Sequence, residues 1–166
     1  MELLNPFWVT GFVDGEGCFS IQFVENKKYK LGLEVRPSFS IGQSKKSKEM
    51  MEKVAFFFCQ GSQNIRSDKD LLKYETRNLN HILSTIIPHF LKYPLQSNKK
   101  NDFLAFSKVC VLLKQKKHLS FRGLREILDI SYQMNLSENQ ESRRKQKKEF
   151  YIKLLEKKSF QKSPTV

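Results

Sequence analysis

The sequence predicts an α+β domain in which an antiparallel β-sheet is backed by helices on one face. Two pairs of alternating segments, at residues 18–41 and 64–77, supply the strands. Capped helical segments stand before, between and after them, and the N-terminal helical pattern occurs once, so no internal repeat enlarges the plan. A chain of 166 residues has the length of one domain, expected over residues 1–158.

The elements follow in order. Asn5 can cap a helix and Pro6 suits its first position. The helix runs over Phe7–Glu16, and Gly17 fits a left-handed stop. From Cys18 to Phe23 the residues alternate, with Phe19, Ile21 and Phe23 on one face and Ser20 and Gln22 on the other. A turn at Glu25–Lys28 leads to a second alternating run. There Leu31, Leu33, Val35, Phe39 and Ile41 share a face, opposite Lys30, Glu34, Arg36, Ser38 and Ser40. Pro37 marks a bend or an edge. Ser47 can cap a helix reaching about Gln60 and closed by Gly61. Asn64–Arg66 and Leu71–Arg77 read as a second hairpin, with Leu72, Tyr74 and Thr76 inward and Lys73, Glu75 and Arg77 outward. Helices are expected over Leu79–Leu91, Asp102–Gln115, Phe121–Met134 and Ser142–Lys157, the last strongly basic, and Ser159–Val166 reads as a disordered tail.

Composition narrows the partners. Lys and Arg total 30 against 17 acids, a net charge of +13, and that excess attracts polyanions because neutralised phosphates release condensed counterions. Nucleic acid is the first partner to consider and an anionic membrane surface the second. The cysteines Cys18, Cys59 and Cys110 are far apart and form no CxxC pair, so neither a disulfide framework nor a zinc site is expected. No apolar run reaches transmembrane length, and the opening residues MELLNPFW resemble neither a signal peptide nor an Arg/Ser-rich transit peptide. A reducing compartment is the simpler reading. His81, His89 and His118 show no ligand spacing and read as packing residues, as Cys110 reads as core. The run 143–148 fits an import patch, a phosphate-contacting helix or a solvated face, and Arg122 and Arg125 are further phosphate candidates.

The end of the first helix breaks a rule. Asp14 and Glu16 stand in its last turn, where the macrodipole is already negative and cations belong. Carboxylates gathered on a basic protein point to a hard divalent cation such as Mg²⁺. Gly11 and Gly15 are four apart, hence on one helical face, and each costs roughly 1 kcal/mol relative to Ala. Close approach of another backbone accounts for them. If two copies of the helix pack along these glycines, their C-terminal ends meet and Glu16 of each chain nears the twofold axis. Metal-assisted phosphodiester hydrolysis needs such a pair of carboxylates.

The segment WVTGFVDGEGCFSI, Trp8–Ile21, resembles the motif and following strand of the LAGLIDADG homing endonucleases, with Val9–Gly17 as the core nine residues. YKLGLEVRPSFSIGQ, FLKYPLQSNKKNDFLAF and KQKKHLSFRGLREIL resemble later blocks of that family, so the likeness covers most of residues 5–135. It implies a sheet that forms a saddle over the DNA major groove, with both strands cut across the minor groove. It also implies roles for residues. Glu16 is the metal-binding carboxylate, the Gly15 carbonyl lies nearby, and Asp14 caps the partner's helix. Gln43 orients water. Lys99 is the active-site lysine, with Lys100 one residue away leaving that match open. Lys45, Lys46, Lys48 and Ser47 are candidates for a further assisting position.

A single motif implies a homodimer, with an interface of Trp8, Gly11, Phe12, Asp14 and Gly15, and a pseudo-palindromic double-stranded DNA target. By alternation and charge, the DNA-binding face is Ser20, Gln22, Lys30, Glu34, Arg36, Ser38, Ser40, Asn64, Arg66, Lys73, Glu75 and Arg77. The expected cofactor is Mg²⁺, with Mn²⁺ substituting and Ca²⁺ supporting binding without cutting. An intron-encoded protein made within a mitochondrion or chloroplast is implied, with no membrane partner. The competing reading is a catalytically idle RNA maturase or DNA-binding protein on the same fold; half of a heterodimer, or a nickase, is a third. Loss of the motif acids would favour the idle reading, and both are present.

Overall fold

A computed structural model describes residues 3–59, 65–136, 144 and 146–160. Helix α1 spans Pro6–Glu16, and strands β1 and β2 span Gly17–Glu25 and Leu33–Ser44. A 3-10 turn at Lys45–Ser47 precedes α2, Lys48–Cys59. Strands β3, Ile65–Asp68, and β4, Leu71–Thr76, form the second hairpin. Then come α3, Leu79–His81, a π-helical segment at Ile82–Ile86, and α4, Ile87–Lys92. Helices α5, Lys99–Lys114, α6, Phe121–Ser131, and α7, Lys148–Phe160, complete the order. The strands make one sheet of order β1-β2-β4-β3, with β4 antiparallel to both neighbours. No helix among the described residues is long and apolar enough to cross a membrane.

The chain divides into two compact units, Met1–Phe19 with Pro37–Phe103, and Ser20–Arg36 with Leu104–Val166. The first is built on aromatic rings. Phe39 of β2 lies 5.1 Å from Phe19, 5.4 Å from Phe58 of α2 and 5.8 Å from Phe90 of α4, ring centre to ring centre. Tyr74 of β4 stacks on Phe58 at 5.9 Å, and Phe103 of α5 packs on Phe19 at 5.4 Å. Each such side chain, fully buried, contributes about 1.5–3 kcal/mol. Val9 and Val13 of α1 are fully buried in the same unit.

In the second unit, Ile21, Phe23 and Leu33 are buried, as are Phe106, Val109, Leu124, Ile127, Leu128 and Leu155. Strand β1 is a sheet edge. Two of its carbonyls are nevertheless paired. The Arg144 guanidinium donates to the Ile21 carbonyl and, at 3.0 Å, to that of Ser131, and the Tyr151 hydroxyl donates to the Phe23 carbonyl at 3.3 Å. Arg144 also lies over the rings of Phe23 and Tyr132, at 5.6 and 5.1 Å.

Several expectations are refined. Gly17 is extended at φ −78°, not left-handed. Its lack of a side chain serves close approach instead, because a Cβ there would meet Val13 Cγ1 at 2.4 Å and the Val13 carbonyl oxygen at 2.7 Å. Ser44, rather than Ser47, caps the turn into α2, accepting from the Lys46 amide at 3.3 Å. The helix after β4 widens to π form just before Pro88, which has no N–H and whose ring crowds the carbonyl four residues back. The last helix begins at Lys148 rather than about residue 142 and continues through Phe160. Of the basic run, Arg144 is drawn into the fold rather than solvated, and Arg143 and Lys145 lie outside the described residues, as do Gln60, Gly61 and Asn64.

Candidate active site

The site grows from the two ends of α1. At its start, the Asn5 carboxamide accepts from the Phe7 and Trp8 amides at 2.9 and 3.3 Å, with Pro6 at the first helical position, so the N-terminus is closed as its sequence dictates. Val9, Thr10 and Val13 bury one face. Thr10 is fixed by donating to the Tyr93 carbonyl at 3.0 Å. Its hydroxyl hydrogen is thereby committed, so His89, 3.2 Å away, carries its proton on Nε2 and donates to Thr10. Burial among Phe57, Phe58, Phe90 and Tyr93 lowers the His89 pKa to about 4.

The opposite face of α1 is bare. Phe7 and Trp8 are 68% and 45% exposed, with Phe12 stacked on Trp8 at 5.2 Å and Gly11 and Gly15 beside them in the helical repeat. A Cβ built on either glycine meets nothing within 4 Å. A hollow of about 440 Å³, lined by Leu4, Trp8, Lys46, Ser47, Glu49, Met50 and Lys53, adjoins this face.

At the C-terminal end the two acids part. Asp14 accepts from the Gln96 amide at 2.7 Å, the Ser97 hydroxyl at 2.6 Å and the Ser97 amide at 3.3 Å. Partial burial pushes its carboxyl up, but these hydrogen bonds and the charge of Lys99 outweigh it and hold the group below the usual carboxylate range. Asp14 therefore ties α1 to the start of α5 within its own chain. Lys99, at the first turn of α5, donates to the Val13 carbonyl at 3.0 Å and the Gly15 carbonyl at 3.3 Å. Burial pushes its pKa down against the opposing charges of Asp14, Cys18, Glu16 and Asp102. Lys100 is exposed, so Lys99 is the lysine at this helix end.

Glu16 is exposed, and among the described residues no group hydrogen-bonds or ion-pairs with its carboxylate. Gln43 lies half-buried near the end of β2, paired with Leu72. Lys45, Lys46 and Lys48 are exposed just beyond, and Ser47 is half-buried. Among the described residues no three His, Cys, Asp or Glu side chains gather to hold a metal. The oxygen donors present, the Glu16 carboxylate and the Gly15 carbonyl, are of the hard kind that Mg²⁺ takes, but too few for its octahedral shell. They fit such an ion as part of a larger set.

The polar strand faces are more structured than alternation implies. In the second unit Gln22 and Lys30 are exposed and Ser20 is half-buried. Glu34 accepts from Asn26 at 3.0 Å and from Arg36 at 2.9 Å. In the first unit Arg66, Lys73 and Arg77 are exposed, but Ser38, Ser40 and Glu75 are 2%, 8% and 8% exposed. Those three lie on the polar face but are buried rather than exposed: Glu75 lies opposite Ser40 in the register and is covered by the long cations around it. Sequence reasoning passed over Ser97, Gln96 and the Thr10–His89 pair. A Ser shortly before a helical run was the available signal for Ser97, which accepts from the Lys99 amide at 3.1 Å; nothing local marked the others.

Residues 9–110, more than half of the chain, match the model of the family described as LAGLIDADG endonuclease. The chain belongs to that family, and its fold is that of the LAGLIDADG homing endonucleases. Among curated proteins it is similar to probable intron-encoded endonuclease 2 of Neurospora crassa, 32% identical over 133 residues that cover 80% of this chain and 29% of the relative. Among solved structures it is similar to the homing endonuclease I-TnaI, at 31% identity and TM-score 0.78, covering 95% of this chain and 99% of that one. It is also similar to I-SmaMI bound to an uncleaved DNA target in the presence of calcium ions, at 36% identity and TM-score 0.76, covering 82% of this chain and 47% of that one. The chain thus spans about a third of the Neurospora relative's length and about half of I-SmaMI's.

Proposed function

We propose that this chain is a site-specific double-strand DNA endonuclease that acts as a homodimer about α1, at a pseudo-palindromic site. The observation that carries this reading is the end of α1: Asp14 is engaged within its chain while Glu16 is exposed without a partner among the described residues. A ridge of glycines that their own chain does not require leads to it. Two glycines in a helix of 11 residues cost roughly 1 kcal/mol each, and a second backbone packed on them offsets that cost.

The residues then divide the reaction. Glu16 of each chain, with the Gly15 carbonyl, would hold Mg²⁺; Mn²⁺ would substitute, and Ca²⁺ would support binding without cutting. The metal, when bound, supplies activation of water and stabilisation of the leaving oxygen. Lys99 is held at the helix end by carbonyls rather than by a carboxylate, so its positive charge is available to a phosphate. Gln43 orients the attacking water. Lys45, Lys46 and Lys48 are the assisting cations. Ser20, Gln22, Lys30, Arg36, Arg66, Lys73 and Arg77 meet DNA, a reading supported by their exposure or half-exposure and by the DNA-bound state of I-SmaMI. The intron-encoded name of the Neurospora relative supports an intron-encoded protein.

Selection from a random duplex library in Ca²⁺, followed by transfer to Mg²⁺, tests the proposal. Recovery of one long, near-palindromic site that is then cut on both strands is the expected result. A selected site that stays intact moves the idle binding protein to the front, and a strongly asymmetric site points to half of a larger or heterodimeric enzyme. Glu16→Gln is expected to lower cutting by at least about 10³-fold while DNA binding persists; full cutting by that variant removes the metal role assigned to Glu16.

A further inference from the structure

One buried carboxylate lies under the cations of the polar sheet face in the first unit. The Glu75 side chain is 4% exposed, whereas those of Lys73, Arg77 and Arg66 are 48%, 44% and 72% exposed. Glu75 Oε1 accepts from Ser38 Oγ at 2.9 Å, Lys73 Nζ at 3.1 Å and Arg77 Nη2 at 3.2 Å. Glu75 Oε2 faces Arg77 Nη2 at 3.1 Å and Arg66 Nη1 at 3.7 Å. The register explains the convergence. Arg66 of β3 pairs with Lys73 of β4, which places it diagonal to Glu75, and Ser38 approaches Glu75 diagonally from β2.

We propose that Glu75 is a positioning residue for sequence discrimination, which reads no base itself but holds Lys73, Arg77 and Arg66 in the directions from which they read base edges. This rests on the reading of the sheet face as the DNA surface. A carboxylate on such a face can itself accept from a cytosine amino group. Glu75 is too deeply set for that, and its oxygens are already engaged by four groups. The cations it holds are the opposite case. Arg77 touches the carboxylate through Nη2 alone in the contacts described, which leaves the rest of its fork for a base pair. Beside Lys73, Gly42 of β2 is exposed, and a Cβ there would meet nothing within 4 Å, so the face is open where a base edge would enter.

The chemistry sets the direction of the effect. Long cationic side chains are costly to order on binding, and fixing them beforehand lowers that cost for the one geometry they present. Freed, three like charges repel one another and turn to whichever phosphates are nearest, which gains affinity without sequence information.

The experiment is Glu75→Gln, compared with wild type for base preference at every position of the selected site, for affinity to unrelated duplex, and for Tm. The expected result is a loss of roughly tenfold or more in discrimination at the base pairs that Lys73→Gln and Arg77→Gln also affect. Affinity for unrelated duplex is expected to hold or rise, with a steeper salt dependence, since a negative charge has gone. Glu75→Gln with an unchanged preference profile at every position overturns the proposal, whatever its Tm. Should Glu75→Gln fail to fold, Ser38→Ala removes the hydroxyl that fixes Oε1; a smaller shift at the same base pairs supports the proposal and an unchanged profile overturns it. A wild-type protein that selects no sequence sinks the DNA reading itself, before Glu75 is at issue.

Discussion

Asp14 and Glu16 stand two residues apart at the end of α1, and their surroundings separate them. A carboxylate at a helix C-terminus opposes the dipole. Asp14 escapes that cost because it also sits before the first turn of α5, where it accepts hydrogen bonds from residues 96 and 97. Glu16 accepts no such hydrogen bonds among the described residues, and it is the carboxylate that the proposed function gives to a cation. Buried and neutral, His89 shows how one side chain couples stability to acidity. Its pKa is about 4 in the fold against about 6.5 in an unfolded chain. Protons therefore favour the unfolded state. The stability linked to this group is fully present above pH 6.5, declines as pH falls through that window, and is lost below about 4. The span is on the order of 3 kcal/mol. Thermal melts between pH 7 and pH 4 are expected to show this loss, and His89→Gln is expected to flatten the slope. An unchanged slope in that variant would assign the acid sensitivity to other groups.

At the scale of elements, β1 carries the liability of an edge strand, whose unpaired backbone invites pairing with other chains. Arg144 and Tyr151 answer it by donating to the Ile21 and Phe23 carbonyls. The Arg144 side chain also bridges to the end of α6 through the Ser131 carbonyl. Truncation leaves acceptors unpaired and removes two ring contacts, so Arg144→Ala is expected to destabilise the fold by about 2–3 kcal/mol. Denaturant melts and light scattering check this; a variant with wild-type midpoint and no added association would show that β1 needs no such cover. The same element shows why a basic run is a poor guide by itself: six residues of similar charge pattern include one whose guanidinium is built into the fold.

For the whole molecule, the question is what lies on the bare face of α1. Under the proposed function, the metal set that one chain leaves incomplete and the glycines that meet nothing in their own chain would both be served by a second copy. Gly11→Leu places a branched side chain where the single chain has open space, so the monomer is expected to fold with its Tm little changed. In a dimer that space belongs to the partner. Sedimentation is expected to show monomers, and cutting of both strands is expected to fall at least about 100-fold. A Gly11→Leu protein that remains a dimer of wild-type affinity removes α1 from the interface.

The sequence by itself determined the element types, because period-two and period-3.6 patterns depend on neighbours along the chain. Asn5-Pro6 marked the start of α1, the alternation in 18–23 placed Phe19, Ile21 and Phe23 inside, and the motif carried the family. Alternation also placed Leu72, Tyr74 and Thr76 inward. The tertiary structure alone decided which polar groups are engaged. Asp14 and Gln96 are 82 residues apart, Lys99 and Val13 are 86 apart, and Ser38 and Glu75 are 37 apart. No local pattern encodes such meetings, since a charged residue reads the same in sequence whether water, a carbonyl or three cations surround it. Burial and pairing are set when distant segments pack, and that is where Asp14 met Gln96 and Ser97, Glu75 was covered on the face it shares with its cations, and Glu16 was left exposed.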